Sequence, residues 1–277
     1  MPNPGRNAFA LAPGGDIAIV STGNLHQVWA SSFKPHTMTT SGLDEKNRRF
    51  YDTLWSKTYL TSPRSFNTWP LVASLLGSSP ARLEVGAGMR PRLPIAGTHF
   101  IDASPPAVER LNARGGIALC GQITELPFAD GTFDFVAAFD VIEHVEDGGR
   151  AFSELRRVLK PEGSLAFSVP LHPAHWTEFD DYVGHARRYV PADLLEVIAA
   201  NGLVVEKSCV FGMQSNSPRL LRFTVKGLTE HQSMAIRMYN WLFLPLGMVL
   251  QKPLKFSDGL IDLEGVHEAL MVCRRRR

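Results

Sequence analysis

From residue 82 onward, short apolar runs alternate with segments of helical period. The runs are Arg82–Val85, Gly97–Asp102, Ile117–Gly121, Phe133–Phe139, Ser164–Val169, Leu203–Phe211 and Ala269–Cys273. Phe133–Phe139 is apolar almost throughout, which predicts a strand buried on both faces near the middle of a parallel sheet. Ser104-Pro105-Pro106 opens a helix through Arg114, with Ser104 as cap and proline in the first turn. Ala151, Phe152, Leu155, Val158 and Leu159 mark a second helix, ended by Pro161 and Gly163. Pro191 opens a third, with Leu194, Leu195 and Ile198 on one face and Gly202 as its stop. Alternation of this kind predicts an α/β fold: a doubly wound, seven-stranded, mostly parallel, Rossmann-like sheet.

The flanks read differently. In Asp44–Lys57, Phe50 pairs with Leu54 and Tyr51 with Trp55 at helical spacing, and Asp44 suits the N-cap. A second helix is expected over Phe66–Leu76, stopped by Gly77–Pro80. Residues 38–80 therefore form N-terminal cap helices ahead of a domain at 81–277. An insertion over residues 212–267 precedes the last strand, with helices at Arg219–Lys226 and Ser233–Leu250, the latter strongly apolar and expected to kink or break at Pro245. Residues 1–37 are rich in Gly and Pro with no sustained period and are expected to be a poorly structured, dispensable leader; Met38 opens a more protein-like segment.

Composition narrows the function classes. With 277 residues and 44% apolar content the chain can bury a substantial core. A net charge of +2 gives no reason to expect a nucleic-acid partner, although Arg274–Arg277 end the chain in a basic tail. Cys120, Cys209 and Cys273 show neither a disulfide framework nor zinc spacing, which points to a reducing, cytoplasmic setting. No run reaches the roughly 18 apolar residues of a membrane span.

The candidate chemistry begins at Ala81–Pro91, where an apolar run with one acid feeds Gly86 and Gly88. Glycines there permit left-handed backbone and close approach of a ligand. Met89, Arg90 and Pro91 follow, so the full G-x-G-x-x-G pattern is not met. Three further pieces come in order: Asp102 at the end of the second run, Gly121–Phe128 with Asp130-Gly131 behind it, and Phe139-Asp140-Val141-Ile142-Glu143-His144-Val145 followed by a helix and Leu159–Gly163. Together the four pieces resemble the class I S-adenosylmethionine-dependent methyltransferases, bacterial small-molecule enzymes in particular, over residues 82–205.

The resemblance implies S-adenosyl-L-methionine as cofactor and methyl transfer to an O, N or C atom of a small-molecule acceptor. Cofactor contacts are expected from Glu84, Gly86, Gly88, Asp102, Gln122, Ile123 and Phe139. Asp102 would take both ribose hydroxyls. Gln122 stands where relatives carry an aspartate toward the adenine amine, so its amide oxygen accepts without charge assistance. Asp140 and His144 are the candidate catalytic residues, His144 because imidazole titrates near neutrality. Relatives carry a Gly-His-x-Arg-Arg-Tyr run like Gly184–Tyr189 where acceptors bind, so Tyr51, Trp55, His175, Trp176, His185 and Arg188 are the expected substrate wall. His172, His175 and Asp180 are spaced too loosely for a metal set, and none is expected. An acceptor of quinone or lipid type would explain Trp241–Leu250 and the arginine tail through peripheral membrane contact. A non-catalytic protein that only binds the cofactor is the rival from another class.

Overall fold

The computed structural model describes residues 9–11, 17–19, 51–77, 79–212, 226–227 and 232–277. Two compact units divide the chain, Met1–Thr40 and Ser41–Arg277. Within the first, β1 (Phe9–Leu11) pairs antiparallel with β2 (Ile17–Ile19), Leu11 opposite Ile17. The rest of the expected leader, the Asp44 cap and most of the Arg219–Lys226 helix lie outside the described residues.

The second unit is built on one sheet of eight strands. These are β3 (Arg82–Val85), β4 (His99–Asp102), β5 (Ile117–Cys120), β6 (Phe133–Phe139), β7 (Leu159–Pro170), β8 (Leu203–Val210), β9 (Ser257–Asp258) and β10 (Glu268–Arg275), in the order β5-β4-β3-β6-β7-β10-β8-β9. β3 pairs in parallel with β4 on one side and β6 on the other, so the chain reverses its direction of winding there. That reversal is the topological switch point, where open α/β sheets leave a crevice at their carboxyl edge. The last strand departs from the parallel pattern: β10 runs antiparallel between β7 and β8. A two-residue edge strand within the insertion, β9, makes the eighth.

Side-chain alternation explains why both faces are covered. In β10, Ala269, Met271 and Cys273 enter one core while Leu270 and Val272 enter the other. The Gly148–Val158 and Pro191–Ala200 helices fill the first core with Phe152, Leu155, Leu194 and Ile198. The Trp69–Leu76 helix covers the second with Leu71 and Val72. A polar chain could not occupy these strands, since each apolar side chain buried contributes roughly 1.5–3 kcal/mol.

Several boundaries move. The predicted helix at Phe66 is a short 3-10 turn, Pro63–Ser65, then a helix from Trp69. β7 begins at Leu159 rather than after Gly163. Ser104 occupies the N-cap of the Pro105–Asn112 helix, but its side chain makes no cap bond. Pro245 does not break the insertion helix. A π-helical turn, Tyr239–Phe243, links Gln232–Met238 to Leu244–Val249. Proline lacks an N–H and crowds the preceding turn, and a widened turn just upstream accommodates it.

The N-terminal helix (residues 51–57) packs Trp55 against Met89 and Ala107. Asn240, buried in the π-helical turn, donates from Nδ2 to the carbonyl of Lys57 at 2.9 Å, and Tyr59 Oη donates to the Asn240 carbonyl at 3.2 Å. The insertion is thereby docked on the N-terminal segment beside the glycine turn.

Candidate active site

The turn after β3 is held from behind by two buried acids. Gly86 and Gly88 have φ of +70° and +52°, the left-handed region that favours glycine. A Cβ on Gly86 would stand 2.4 Å from Val141 Cγ2, and one on Gly88 would stand 2.5 Å from the Trp55 ring. The glycines are required by fold and contact alike. Asp102 accepts from Gly88 N–H at 2.7 Å through Oδ2 and from Ser104 N–H at 2.9 Å through Oδ1. Burial pushes its carboxyl up to about 6, against the pull of those two amides. Glu84 accepts from the backbone of Arg92 at 2.8 Å and of Leu93 at 2.9 Å, and burial pushes it up to about 7. Glu84 therefore orders the segment after the turn.

The cofactor candidates group at the carboxyl edge. Gly86 is exposed while Gly88 lies under Trp55. Gln122 is half-buried in a bridge with Glu125 just beyond β5. Ile123 is buried in the main core, so only its backbone is available for recognition. Phe139 ends β6, with its ring 6.5 Å from Phe211.

After β6 the chain turns sharply. Asp140 has φ +55° and is exposed, and the Ser168 hydroxyl donates to its Oδ1 at 2.5 Å. The Ser168 Oγ in turn accepts the Asp140 amide at 3.0 Å, which fixes the strained residue. His144 follows in a 3-10 turn, Ile142–His144. Its Nε2 lies 3.2 Å from the Tyr51 hydroxyl and its Nδ1 3.3 Å from the Gly184 carbonyl. Burial, then the neighbouring His185, pulls the imidazole down to about 3, so it is neutral at physiological pH and a weak base as it sits.

The loop after β7 divides the expected substrate wall. Asp180 is its hub, in a capping box with Thr177 at the start of the Glu178–Val183 helix. It accepts from Arg188 Nε and Nη2 at 2.9 Å each, from Thr177 N–H and Oγ1 at 2.7 Å each, and sits 2.8 Å from His185 Nδ1. Arg188 is the buried half of an ion pair in which neither side chain is exposed. The glycine at the end of that helix, Gly184, and the fork geometry of guanidinium explain why this short run folds inward. His175 stacks on His267 at 4.0 Å, and Trp176, more exposed, donates its indole N–H to Asp181 at 3.1 Å. Tyr51, Trp55 and His185 do meet near the glycine turn and His144, Tyr51 stacking on Trp55 at 5.7 Å and His185 packing edge-on to His144 at 4.7 Å. His172 bonds the Leu263 carbonyl at 2.8 Å, so His172, His175 and Asp180 have separate duties.

A family model described as a methyltransferase domain matches residues 83–167, which hold the glycine turn, Asp102, Gln122, Asp140 and His144. Over this stretch the chain is similar to methyltransferase domains, and its sheet has their Rossmann-like fold. The chain is 36% identical over 90 residues to a probable S-adenosylmethionine-dependent methyltransferase of Mycolicibacterium smegmatis, covering 31% of this chain and 34% of that one. It is 35% identical over 86 residues to a demethylmenaquinone methyltransferase of Corynebacterium urealyticum, covering 30% and 36%. A SAM-dependent methyltransferase of Thermotoga maritima, described as a possible histamine N-methyltransferase, superposes with a TM-score of 0.53 at 15% identity over 84% of this chain and 100% of that one. That likeness is one of fold. The chain spans 34% to 56% of the length of the first curated relatives it matches.

Around the carboxyl edge of the sheet, Ser168, Glu268 and Arg92 carried no sequence signal. Ser168 locks Asp140 from the neighbouring strand, a contact set by register alone. Glu268 at the start of β10 is buried, and burial followed by the charge of Asp140 holds its carboxyl well above the usual range. Arg90 lies 5.4 Å from the Trp55 ring centre and 4.8 Å from that of Tyr239, bridging the two roof segments. Arg92 covers the Phe66 ring at 3.7 Å.

Proposed function

We propose that this chain transfers a methyl group from S-adenosylmethionine to a small-molecule acceptor. The observation that carries the reading is the buried Asp102 carboxylate beside the left-handed Gly86 at the switch point of the sheet. These residues fit the cofactor: the Asp102 carboxylate keeps lone pairs that could accept from hydroxyls, an exposed glycine gives room, and Gln122 offers an amide oxygen near the end of β5. The bound cofactor supplies an electrophilic methyl on a sulfonium. The chain's task is then to hold the acceptor in line and keep water out. Tyr51, Trp55 and the docked insertion would exclude water, while Asp140, fixed by Ser168, would orient an acceptor group at the mouth.

Calorimetric titration with S-adenosylmethionine and its demethylated product tests this. Both are expected to bind, with affinity falling as pH drops through about 6, where Asp102 takes a proton. Asp102→Ala should weaken binding at least about tenfold, a loss of roughly 1.4 kcal/mol. It should also destabilise the protein, because the amides of Gly88 and Ser104 lose their acceptor at about 1–3 kcal/mol each. A folded wild type that binds neither ligand, or an Asp102→Ala variant of unchanged affinity, would sink the assignment.

A lipid-like acceptor is the narrower form of the proposal. Its support is the apolar face of the insertion, where Trp241, Val249 and Leu250 are 79%, 82% and 66% exposed. No helix among the described residues is long and apolar enough to cross a membrane, so contact would be peripheral. Trp241→Glu should abolish co-sedimentation with anionic vesicles without moving the melting temperature. Absence of vesicle binding by the unaltered protein would remove the lipid form and leave the water-soluble acceptors.

A further inference from the structure

We propose that Glu143, His144 and His185 form a site for a first-row divalent cation of the zinc class, bound by one carboxylate and two imidazoles. Donor atoms of the three residues lie within 4.8 Å of one another. They come from two places the fold brings together, the turn after β6 and the loop before Arg188, where the amide of Ala186 donates to the Glu143 carbonyl at 2.7 Å.

Three observations beyond proximity point to a cation. First, Glu143 is 1% exposed, and its Oε2 has no hydrogen-bond partner. Burying a carboxylate oxygen without a partner is costly, and His185 Nε2 stops 4.0 Å from Oε1, beyond hydrogen-bond range. Secondly, each imidazole is oriented from behind. His185 Nδ1 faces the Asp180 carboxylate at 2.8 Å and His144 Nδ1 the Gly184 carbonyl at 3.3 Å. A carboxylate or carbonyl on Nδ1 is the outer support that metal-binding histidines use, because it fixes the tautomer whose Nε2 can present its lone pair to an ion; at His144 that nitrogen lies 3.2 Å from the Tyr51 hydroxyl, which a cation would replace. Thirdly, that support is itself rigid, since Arg188 and Thr177 hold Asp180 on both oxygens.

Two nitrogens and one oxygen suit zinc, with Fe²⁺ and Co²⁺ acceptable to the same donors. Metal–ligand bonds of about 2.0–2.1 Å place tetrahedral donors about 3.3 Å apart, so the side chains would close by an ångström or so on the ion. Tyr51 would stand beside the ion once its hydroxyl yields His144 Nε2. A cation there would tie the Gly184–Tyr189 loop to the sheet at the edge of the proposed active site. The inference stands apart from methyl transfer, since the metal can be tested without either ligand of that reaction.

The experiment is titration of chelator-stripped full-length protein with Co²⁺, read by visible absorption, followed by displacement with Zn²⁺. One equivalent per chain should bind, and Zn²⁺ should raise the melting temperature. His185→Ala and Glu143→Gln should weaken binding at least about 100-fold, the glutamine preserving side-chain shape should the alanine variant fold poorly. His175→Ala and His267→Ala, which alter the other histidine cluster, should bind as the wild type does. Lack of stoichiometric uptake by folded wild type would overturn the site. So would uptake that survives Glu143→Gln, or that disappears with His175 or His267.

Discussion

Gly88→Ala should lower stability by about 2–5 kcal/mol, the sum of a left-handed penalty of roughly 1–2 kcal/mol and an overpacking penalty of roughly 1–3 kcal/mol. The added methyl would fall 2.5 Å from the Trp55 ring at a backbone φ of +52°. Gly202→Ala separates the two terms. It has a similar φ of +64° with nothing within 4 Å, so it should show the backbone penalty alone. Urea denaturation of both variants measures the difference. In a Trp55→Ala background the excess at Gly88 should vanish, giving a coupling energy of about 1–3 kcal/mol. Equal costs for Gly88→Ala and Gly202→Ala would mean that Trp55 does not rest on the turn in solution and that the N-terminal helix stands open. The same variant should lose affinity for S-adenosylmethionine, because Gly88 N–H is the group that Asp102 holds.

The core sheet was legible because its signals are local. The glycine turn, the acid ending β4 and the all-apolar β6 each follow from a few neighbouring residues, and their periods state which faces are buried. The antiparallel direction of β10 was not, because nothing in Glu268–Arg275 records which way its partner runs. β9, two residues long, is too short to show a period. The π-helical turn before Pro245 is a tertiary accommodation and has no composition of its own.

The site divides along the same line. Asp102 and Glu84 were readable as acids at a strand's end, but their amide partners depend on how the turn closes. Trp55 was readable as an aromatic on an amphipathic helix, and its seat on Gly88 was not. Polarity misled most in the loop after β7. A run of His, Asp and Arg reads as a surface waiting for a ligand, whereas Asp180 and Arg188 satisfy one another inside the protein. Side chains that pair across a turn cannot be told from side chains that pair with substrate until the turn is seen.

That distinction yields the second large effect. Arg188→Ala should destabilise the protein by about 3–5 kcal/mol, because it leaves Asp180 buried without its bidentate cationic partner. Arg188→Lys should recover little, since an ammonium cannot reproduce the two parallel bonds from Nε and Nη2. The pH dependence carries a definite sign. Burial pushes the Asp180 carboxyl up, but hydrogen bonds from His185, Arg188 and Thr177 outweigh it and hold the group well below the usual carboxylate range. A depressed acid contributes stability that is fully present above its unfolded value of about 3.9 and fades as pH falls through its folded value. The gap between wild type and Arg188→Ala should therefore be constant above about pH 5 and narrow below about pH 4. Chemical denaturation at several pH values measures it. If Arg188→Ala instead kept full stability and changed only the acceptor KM, Arg188 would be reaching a substrate, and the buried pair would have to open for it.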